Sequence, residues 1–560
     1  MQGKLLLLLA LHLALTALPL LAAALAAARW GERRVPVLLG IGLAASGLTA
    51  FLGFWAYYGD RTLGESFSYL VVFGSVAVIG WALLGGGIER PLWRQLGVAL
   101  GLWALGSLFL VFLGFLHGGA AHPLAEGGIR FSGPLPADSN IPKYFSEWFF
   151  LYGHHGTPPV YPGEWLASDR PPLQAAYVML QRPFGWDEDG LHYQVLCVVL
   201  QQLWIVGLWA LLLAARVGRL TRALAMVTVL VSGLAILNGF FVWPKMLPAA
   251  MLLGAAALVL TPLWPQLRRS LWGAALFAAL CALALLAHGG SVFGVIPLVV
   301  VAAFRGLPQW RWIGVAALVG IALMAPWSAY QKYGDPPGNR LTKWTLAGVV
   351  EIDDRGTGEA IVDSYREAGF GGSVHNKAEN AVTMVGGGPM VTLVRDGVDS
   401  GTAEGFVQGV RSVIFLYLFP SLGLLLLAPL AMAAARGRVR ERAEWRFALL
   451  CFAAIGAGAL AWGLLVFGSA AMRTVLHVGS YLLPILAMAG AVAGLRASFP
   501  RFAVGLVGCW ALLSLALYVP AFDPLPGTSY SLVAALLAAL GLSGFAALAF
   551  APRPLDSPAG

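Results

Sequence analysis

The chain has 560 residues, of which 59% are hydrophobic and only 11% are charged, and its net charge is +9. Together with a mean hydropathy of +0.77, this composition excludes a water-soluble globular protein. Apolar runs of about 20 residues favour helices that cross a bilayer over a barrel of alternating strands. The sequence therefore predicts an all-α polytopic membrane protein, and nothing in its charge indicates a nucleic-acid partner.

Apolar runs that end at charged hinges predict about 15 transmembrane helices. Four precede the first long polar loop: Gly3–Ala27, Val35–Tyr58, Ser66–Leu84 and Gln95–Phe115. Six lie between the two long polar loops: Tyr193–Ala215, Leu224–Val242, Met246–Leu263, Leu271–Ala287, Val292–Phe304 and Ile313–Trp327. Five follow the second loop: Val413–Ala435, Ala448–Phe467, Tyr481–Leu495, Phe502–Tyr518 and Ser531–Phe550.

These runs divide the chain into four regions. Residues 1–94 hold extra N-terminal helices, and residues 95–327 form a core whose outer loop, 117–192, carries the chemistry. Residues 328–412 form a second outer loop, which we interpret either as a cap over the cavity that helps to choose an acceptor or as a structural plug. Residues 413–560 form the C-terminal helices. His288 lies between two short spans and indicates either an outward cavity or a tight turn.

The distribution of arginine predicts the orientation. Alternate hinges contain more than half of the 36 basic residues, and basic residues in short loops stay on the cytoplasmic side. Both long polar loops then face outward, in a membrane of the bacterial cytoplasmic type. The first run also resembles a secretory signal, but its cleavage would leave Arg29, Arg33 and Arg34 outside, so we predict that it is retained.

The first outer loop combines carboxylates with a cation. Asp138 lies in its first half, and Asp169 and Arg170 follow about 30 residues later. Charged residues are essentially missing from the interiors of the spans after Tyr193, which disfavours an ion-coupled transporter, and no repeated filter sequence indicates a channel. A membrane enzyme at the outer surface remains.

This set of side chains suits transfer of a sugar from a lipid phosphate to a hydroxyl. Such a reaction needs a carboxylate to accept the proton of the acceptor and a cation to bind the departing phosphate. We expect Asp138 and Asp169 to be the catalytic carboxylates and Arg170 to bind the phosphate of the donor. Pro171 and Pro172 would stiffen that turn. Asp138 as a helix cap, and Asp169 as a partner of Arg170 that only shapes the turn, are the structural alternatives.

The order of these motifs resembles a known group of enzymes. Asp138 with Tyr144 six residues later, then Gly163-Glu-Trp165, and then Asp169-Arg-Pro-Pro-Leu173 resembles the first outer loop of GT-C polyprenyl-phosphate-sugar glycosyltransferases. The relatives meant are lipid A aminoarabinose transferases and protein O-mannosyltransferases. A late stretch, Arg473 to Pro484, is similar to the start of an outward-facing span in that group. Together these segments cover about 50 residues.

The resemblance implies a GT-C-like bundle, Asp138 as the catalytic base and Arg170 as the phosphate-binding cation. Elsewhere we expect donor-phosphate contacts from Lys245, which lies at an outer helix end, and from Arg473 and His477 of the late stretch. We expect substrate contacts from Lys143, Tyr144, Gln174 and Tyr481. Lys245, Arg473 and His477 could instead anchor the chain at the lipid interface. The sequence departs from the group at Ser139, where an acidic residue is usual, and in having three spans before the one that leads into the loop.

The expected reaction is inverting transfer from a polyprenyl-monophosphate sugar to an envelope glycan, lipid or protein. No cofactor follows from the sequence, and the histidine spacing gives no recognised ligand set, so we predict no metal site. Trp327, Tyr330 and Trp344, at the start of the second outer loop, suit a lipid interface or sugar stacking. A lipid-linked glycan flippase or exporter, or an oligosaccharide ligase that uses a diphosphate-linked donor, are the alternative functions.

Overall fold

The computed structural model describes residues 1–84, 89–132, 135–162, 165–185, 189–386, 401–416, 420–439, 442–468, 481–521 and 525–551. Within these ranges the regular structure is helical, and the only strand-like pairing is an isolated bridge between Tyr161 and Trp165. The prediction of an all-helical membrane protein is confirmed at this level.

Twenty-four α-helices follow one another along the described chain, with short 3-10 turns between some of them. The first eight are α1 Gln2–Arg29, α2 Val35–Gly59, α3 Arg61–Leu84, α4 Arg90–Gly114, α5 Pro123–Ile129, α6 Ile141–Tyr152, α7 Leu173–Gln181 and α8 Leu191–Gln201. The next eight are α9 Trp204–Ala214, α10 Arg219–Leu230, α11 Gly233–Phe241, α12 Met246–Val259, α13 Trp264–Leu267, α14 Leu271–Ala287, α15 Val292–Phe304 and α16 Trp310–Ala329. The last eight are α17 Arg340–Ala347, α18 Thr357–Met384, α19 Ala403–Leu416, α20 Ala428–Val439, α21 Ala443–Leu465, α22 Leu482–Ser498, α23 Pro500–Tyr518 and α24 Leu532–Phe550.

Nine helical segments of the described chain are long and apolar enough to cross a membrane, and the pair α10 and α11 makes a tenth if it counts as one span. Five further apolar helices have only 10–17 residues. They coincide with predicted spans such as Leu271–Ala287 and Val292–Phe304. The chain is therefore a multi-pass helical membrane protein, and the count of 15 spans stays a prediction.

Three predicted spans contain more than one helix, and Tyr193–Ala215, which covers α8 and α9, is one of them. The run Leu224–Val242 forms α10 and α11, which are bent by 52°. At the break, the Ser232 hydroxyl accepts the N–H of Ala235 at 3.2 Å and so caps α11. The run Val413–Ala435 is divided between the end of α19, a 3-10 turn at Pro420–Leu427 and the start of α20. Within that 3-10 turn Gly423 has a φ of +47°, outside the helical region, which interrupts the run before α20.

Helix α2 lies in the middle of the bundle, although it belongs to the N-terminal region. It packs against α1, α3, α7, α9, α12 and α14. Small residues permit this close packing: a Cβ on Gly42 would lie 2.8 Å from the backbone oxygen of Leu20, and one on Gly47 would lie 3.0 Å from the Leu283 side chain. Helix α3, in contrast, is mostly exposed and apolar, as expected for a lipid-facing helix.

A buried polar cluster lies in the segment between α4 and Asp138. The guanidinium of Arg130 donates to the carbonyls of Leu113 and Val519, and so binds the C-terminal ends of α4 and α23. Nearby, Nε2 of His117 lies 3.2 Å from Oε1 of Glu126, and both side chains are buried. Burial raises the pKa of Glu126 to about 7 and lowers the pKa of His117 to about 4. Both shifts favour the neutral forms of the two side chains.

Candidate functional site

A cavity of about 550 Å³ lies where α14 and α21 end and α15 begins. Helix α17 closes one side of it through Leu341, Trp344 and Leu346, which belong to the second outer loop. Asp138 and Arg170 of the first outer loop also line it. The cavity therefore brings the two long polar loops together.

The backbone on both sides of Asp138 is held in place by two tyrosine hydroxyls. Asp138 lies in a 3-10 turn, Ala137–Asn140. The hydroxyl of Tyr161 donates to the carbonyl of Ala137 at 3.2 Å, and the buried hydroxyl of Tyr193 donates to the carbonyl of Ser139. The side chain of Asp138 remains 20% exposed. A partly exposed carboxylate on a fixed turn can meet an acceptor in the cavity.

Arg170 is the charged partner of Asp138. Its Nη2 donates to Oδ2 of Asp138 at 3.2 Å, across 32 residues of sequence. The guanidinium also lies 3.9 Å from the centre of the Trp165 ring, a distance typical of cation–π stacking. Burial lowers the pKa of Arg170, while the charges of Asp138 and Asp169 act in the opposite direction. The group stays a cation, and its planar face is fixed by Trp165.

Asp169 does not line the cavity, although it precedes Arg170. Its buried Oδ2 accepts the backbone N–H of Leu166 at 3.0 Å and lies 3.5 Å from Nη1 of Arg340. Burial raises the pKa of Asp169, and the Leu166 N–H and the Arg340 guanidinium oppose that shift. The partner of Asp169 is thus Arg340 rather than Arg170. This geometry supports a role in holding the turn rather than contact with a substrate.

The second outer loop is joined to the Arg170 turn by several polar contacts. The backbone N–H of Ser168 donates to Oδ2 of Asp335 at 2.8 Å, and Nε2 of Gln331 donates to the Ser168 carbonyl at 2.9 Å. Arg340 adds its contact with Asp169 and lies 4.9 Å from the centre of the Trp165 ring. The position of Arg170 therefore depends on residues about 170 positions further along the chain. The sequence did not indicate a role for Arg340 or Asp335. Asp335 lies in a Gly- and Pro-rich turn and Arg340 begins α17, and neither position gives a signal of this partnership.

Lys245 lies behind the cavity wall and not in its lining. It follows α11 in the loop that leads to α12, and its side chain is fully buried. Its Nζ contacts Nε2 of His288, which does line the cavity. The sequence pattern at His288 indicated a cavity or a tight turn, and the structure has both there, since Gly289–Ser291 form a 3-10 turn.

Gln174 is connected to the Asp138 turn by hydrogen bonds. Its amide Nε2 donates to the Tyr193 hydroxyl at 3.1 Å and to the Val242 carbonyl at 3.0 Å, and its Oε1 accepts from Gln201 at 2.8 Å. Because Tyr193 in turn holds the Ser139 carbonyl, this chain of hydrogen bonds connects Gln174 to the Asp138 turn. Gln174 is buried and does not line the cavity.

The other predicted substrate and phosphate contacts either lie away from the cavity lining or fall outside the residues that the structure describes. Lys143 pairs with Glu147 at 2.6 Å on the surface of α6, and the Tyr144 ring packs on Tyr161 at 5.2 Å. Tyr481 is buried immediately before α22, with a φ of +65°. Arg473 and His477 lie outside the described residues.

Aromatic side chains dominate the remaining lining of the cavity. Trp165 and Trp344 stack with ring centres 5.7 Å apart at 27°, and Trp243, Trp462 and Phe293 complete the set. Aromatic faces bind the apolar faces of sugar rings and also lipid chains. The cavity thus combines one carboxylate, one guanidinium and a largely apolar wall.

The described residues contain no group of three or more His, Cys, Asp or Glu that could hold a metal ion. Comparison of the chain with protein-family models, with curated proteins and with solved structures yields no significant match. Function is therefore inferred from the chemistry of the cavity.

Proposed function

We propose that the protein is an inverting glycosyltransferase that moves a sugar from a polyprenyl-monophosphate donor to an acceptor hydroxyl. The observation that carries this proposal is the hydrogen bond between the Asp138 carboxylate and the Arg170 guanidinium in the cavity wall. A carboxylate is a suitable base for a hydroxyl, and a guanidinium binds phosphate through paired hydrogen bonds. Both groups are needed within one cavity for this transfer.

The lining of the cavity suits a lipid-linked donor. Val292, Phe293 and Leu465 provide apolar contacts at the end of the bundle, where an isoprenoid tail could lie against the helices. Arg170 would bind the phosphate, and the buried Lys245 would add a second basic group behind His288. The stacked Trp165 and Trp344 would contact the sugar.

The mechanism follows from the pairing of Asp138 with Arg170. A donor phosphate competes for the guanidinium, so its binding frees the carboxylate of Asp138 to accept a proton. Asp138 then removes the proton of the acceptor hydroxyl while that oxygen attacks the anomeric carbon from the face opposite the phosphate, which inverts the configuration. General-base catalysis of this kind contributes roughly 10²–10⁴-fold to the rate. The phosphate leaves as a stable anion, so no general acid is required.

The proposal includes a GT-C-like arrangement in a bacterial-type cytoplasmic membrane. Arginine in alternate hinges supports an orientation with the cavity at the outer face. The acceptor would be an envelope glycan, lipid or protein, and α17, which lines the cavity, would help to select it. No nucleic acid takes part.

Transfer of radiolabelled sugar by the purified protein in lipid tests the proposal. A panel of synthetic polyprenyl-phosphate sugars is offered as donors, with membrane glycans, lipids and peptides as acceptors. Wild type should consume one donor, and Asp138→Asn should reduce that turnover by at least a hundredfold. Asp354→Asn is the matched control, because Asp354 is an exposed carboxylate outside the cavity lining.

Full activity of Asp138→Asn would contradict the role of Asp138 as the base. If no donor is consumed and a lipid-linked glycan binds tightly instead, the alternatives are a flippase or a ligase that uses a diphosphate-linked donor. Movement of the glycan without a new glycosidic bond identifies the former.

A further inference from the structure

The side chain of Lys245 is placed where a permanent positive charge would be costly. It is fully buried, and among the residues that the structure describes it forms no ion pair with a carboxylate. Its Nζ contacts Nε2 of His288 and lies 3.9 Å from the centre of the Trp243 ring. An unpaired ammonium in such surroundings loses its hydration without full compensation. A neutral amine avoids that cost.

The hydrogen bonds of His288 indicate the same protonation state. Its Nδ1 accepts the backbone N–H of Gly290 at 3.0 Å, so the single proton of a neutral imidazole lies on Nε2. Nε2 is the atom that contacts Nζ of Lys245. An N–H group needs an acceptor, and an ammonium has no lone pair, whereas a neutral amine has one. The geometry therefore describes Lys245 as a neutral amine that accepts from His288.

The charged groups around Lys245 determine whether it is protonated. Burial lowers the pKa of Lys245 well below its usual value, and the positive charge of Arg170 acts in the same direction, whereas Asp138 opposes it. Arg170 and His288 line the same cavity. An anion bound there would be attracted to a charged Lys245 and would offset the repulsion from Arg170.

We propose that binding of a singly charged phosphodiester in this cavity is coupled to uptake of one proton by Lys245. This inference rests on the proposed function, in which the donor is a lipid phosphodiester. The proton comes from solvent and adds to the lone pair of Nζ, and no other bond forms or breaks. The new ammonium attracts the phosphate from behind the cavity wall, and the Nε2–H of His288, which lines the cavity, donates to a phosphate oxygen, so the charge of the anion is matched inside the apolar site.

Isothermal titration calorimetry of the full chain in nanodiscs measures this coupling. The probe is geranylgeranyl methyl phosphate, a diester that keeps one negative charge at neutral pH and so releases no proton itself. Titrations in buffers with different heats of ionisation give the number of protons taken up. We expect about one proton for each diester bound, and a dissociation constant that rises roughly tenfold per pH unit while Lys245 is neutral in the unbound protein.

Two variants assign the proton to its side chain. Lys245→Met should bind the diester more weakly and take up no proton, with its fold checked by thermal unfolding. Lys332→Met is the matched control, because Lys332 is exposed and lies against Tyr333 rather than in the cavity, and its proton uptake should equal that of wild type.

The outcomes separate this inference from the proposed function. If wild type binds the diester without proton uptake, the inference is wrong and the proposed donor class stands. If uptake persists in Lys245→Met, another group takes the proton and the inference is also wrong. If wild type does not bind the diester at all, both the inference and the proposed donor class are contradicted.

Discussion

Replacement of Arg340 by Met tests whether the second outer loop holds the Arg170 turn. Both Arg340 and Asp169 are almost completely buried, and their charged atoms lie 3.5 Å apart. Removal of one member of a buried ion pair leaves an uncompensated charge, which costs about 3–5 kcal/mol. Asp169 can escape this cost by taking up a proton. Protonation of an ordinary carboxyl at pH 7 costs about 4 kcal/mol.

Burial already raises the pKa of Asp169, so its protonation costs less than in an exposed carboxyl. We therefore expect Arg340→Met to lower the free energy of unfolding by about 2–4 kcal/mol at pH 7. The loss should be smaller at pH 5, because each pH unit reduces the cost of protonation by about 1.4 kcal/mol. The double variant Arg340→Met/Asp169→Asn should recover most of it, since Asn can still accept the Leu166 N–H.

Reversible unfolding by SDS in mixed micelles measures these free energies. Arg366→Met is the control, since Arg366 is 77% exposed in the same loop and its loss should change the stability by less than about 0.5 kcal/mol. Two results would refute the assignment of Arg340 as the partner of Asp169. One is a free energy of unfolding at pH 7 that is the same for Arg340→Met as for wild type, and the other is a double variant no more stable than the single one.

Three further predictions concern other parts of the molecule. Arg170→Lys keeps the charge but loses the planar fork and the stacking on Trp165, so sugar transfer should fall at least tenfold with any active donor. Trp165→Ala should weaken binding of a donor analogue in calorimetry, because it removes both that stacking and part of the cavity wall; unchanged affinity would exclude this role. Glu126→Gln leaves His117 as the titrating member of its pair, with a pKa of about 4 in the folded state. Between pH 4 and about 6.5 the imidazole binds a proton in the unfolded chain but not in the folded one. The free energy of unfolding should therefore rise with pH over this range and stay level above it. A flat profile would contradict this.

The apolar runs predicted the helices well where a run is uninterrupted. Helices α14 and α15 have the bounds Leu271–Ala287 and Val292–Phe304 that the sequence indicated, because a His-Gly-Gly-Ser segment separates them. Hydropathy could not predict the breaks in Leu224–Val242 and Val413–Ala435. A capping serine, and a glycine with a positive φ, interrupt a helix without changing the mean hydropathy of the run.

The candidate site was predictable only in its local part. Asp138 and Arg170 belong to one polar loop between two spans, so their proximity could be expected from the sequence. The contact of Asp169 with Arg340 joins residues on different outer loops, and the contact of Lys245 with His288 joins two interhelical turns. Such pairs depend on how the helices pack, and neither hydropathy nor residue spacing contains that information. The catalytic and binding roles of these residues stay predictions.

Determination of the structure by cryo-electron microscopy with a bound donor analogue tests the central claim most directly. The analogue is a phosphonate of a polyprenyl-phosphate sugar, in which a carbon replaces the anomeric oxygen so that no transfer takes place. We predict that the phosphonate binds Arg170, that the hydrogen bond between Arg170 and Asp138 is broken, and that the freed carboxylate faces the anomeric carbon across space for a hydroxyl. An analogue bound outside this cavity, or one bound inside it with the Asp138–Arg170 pair intact, would contradict the account.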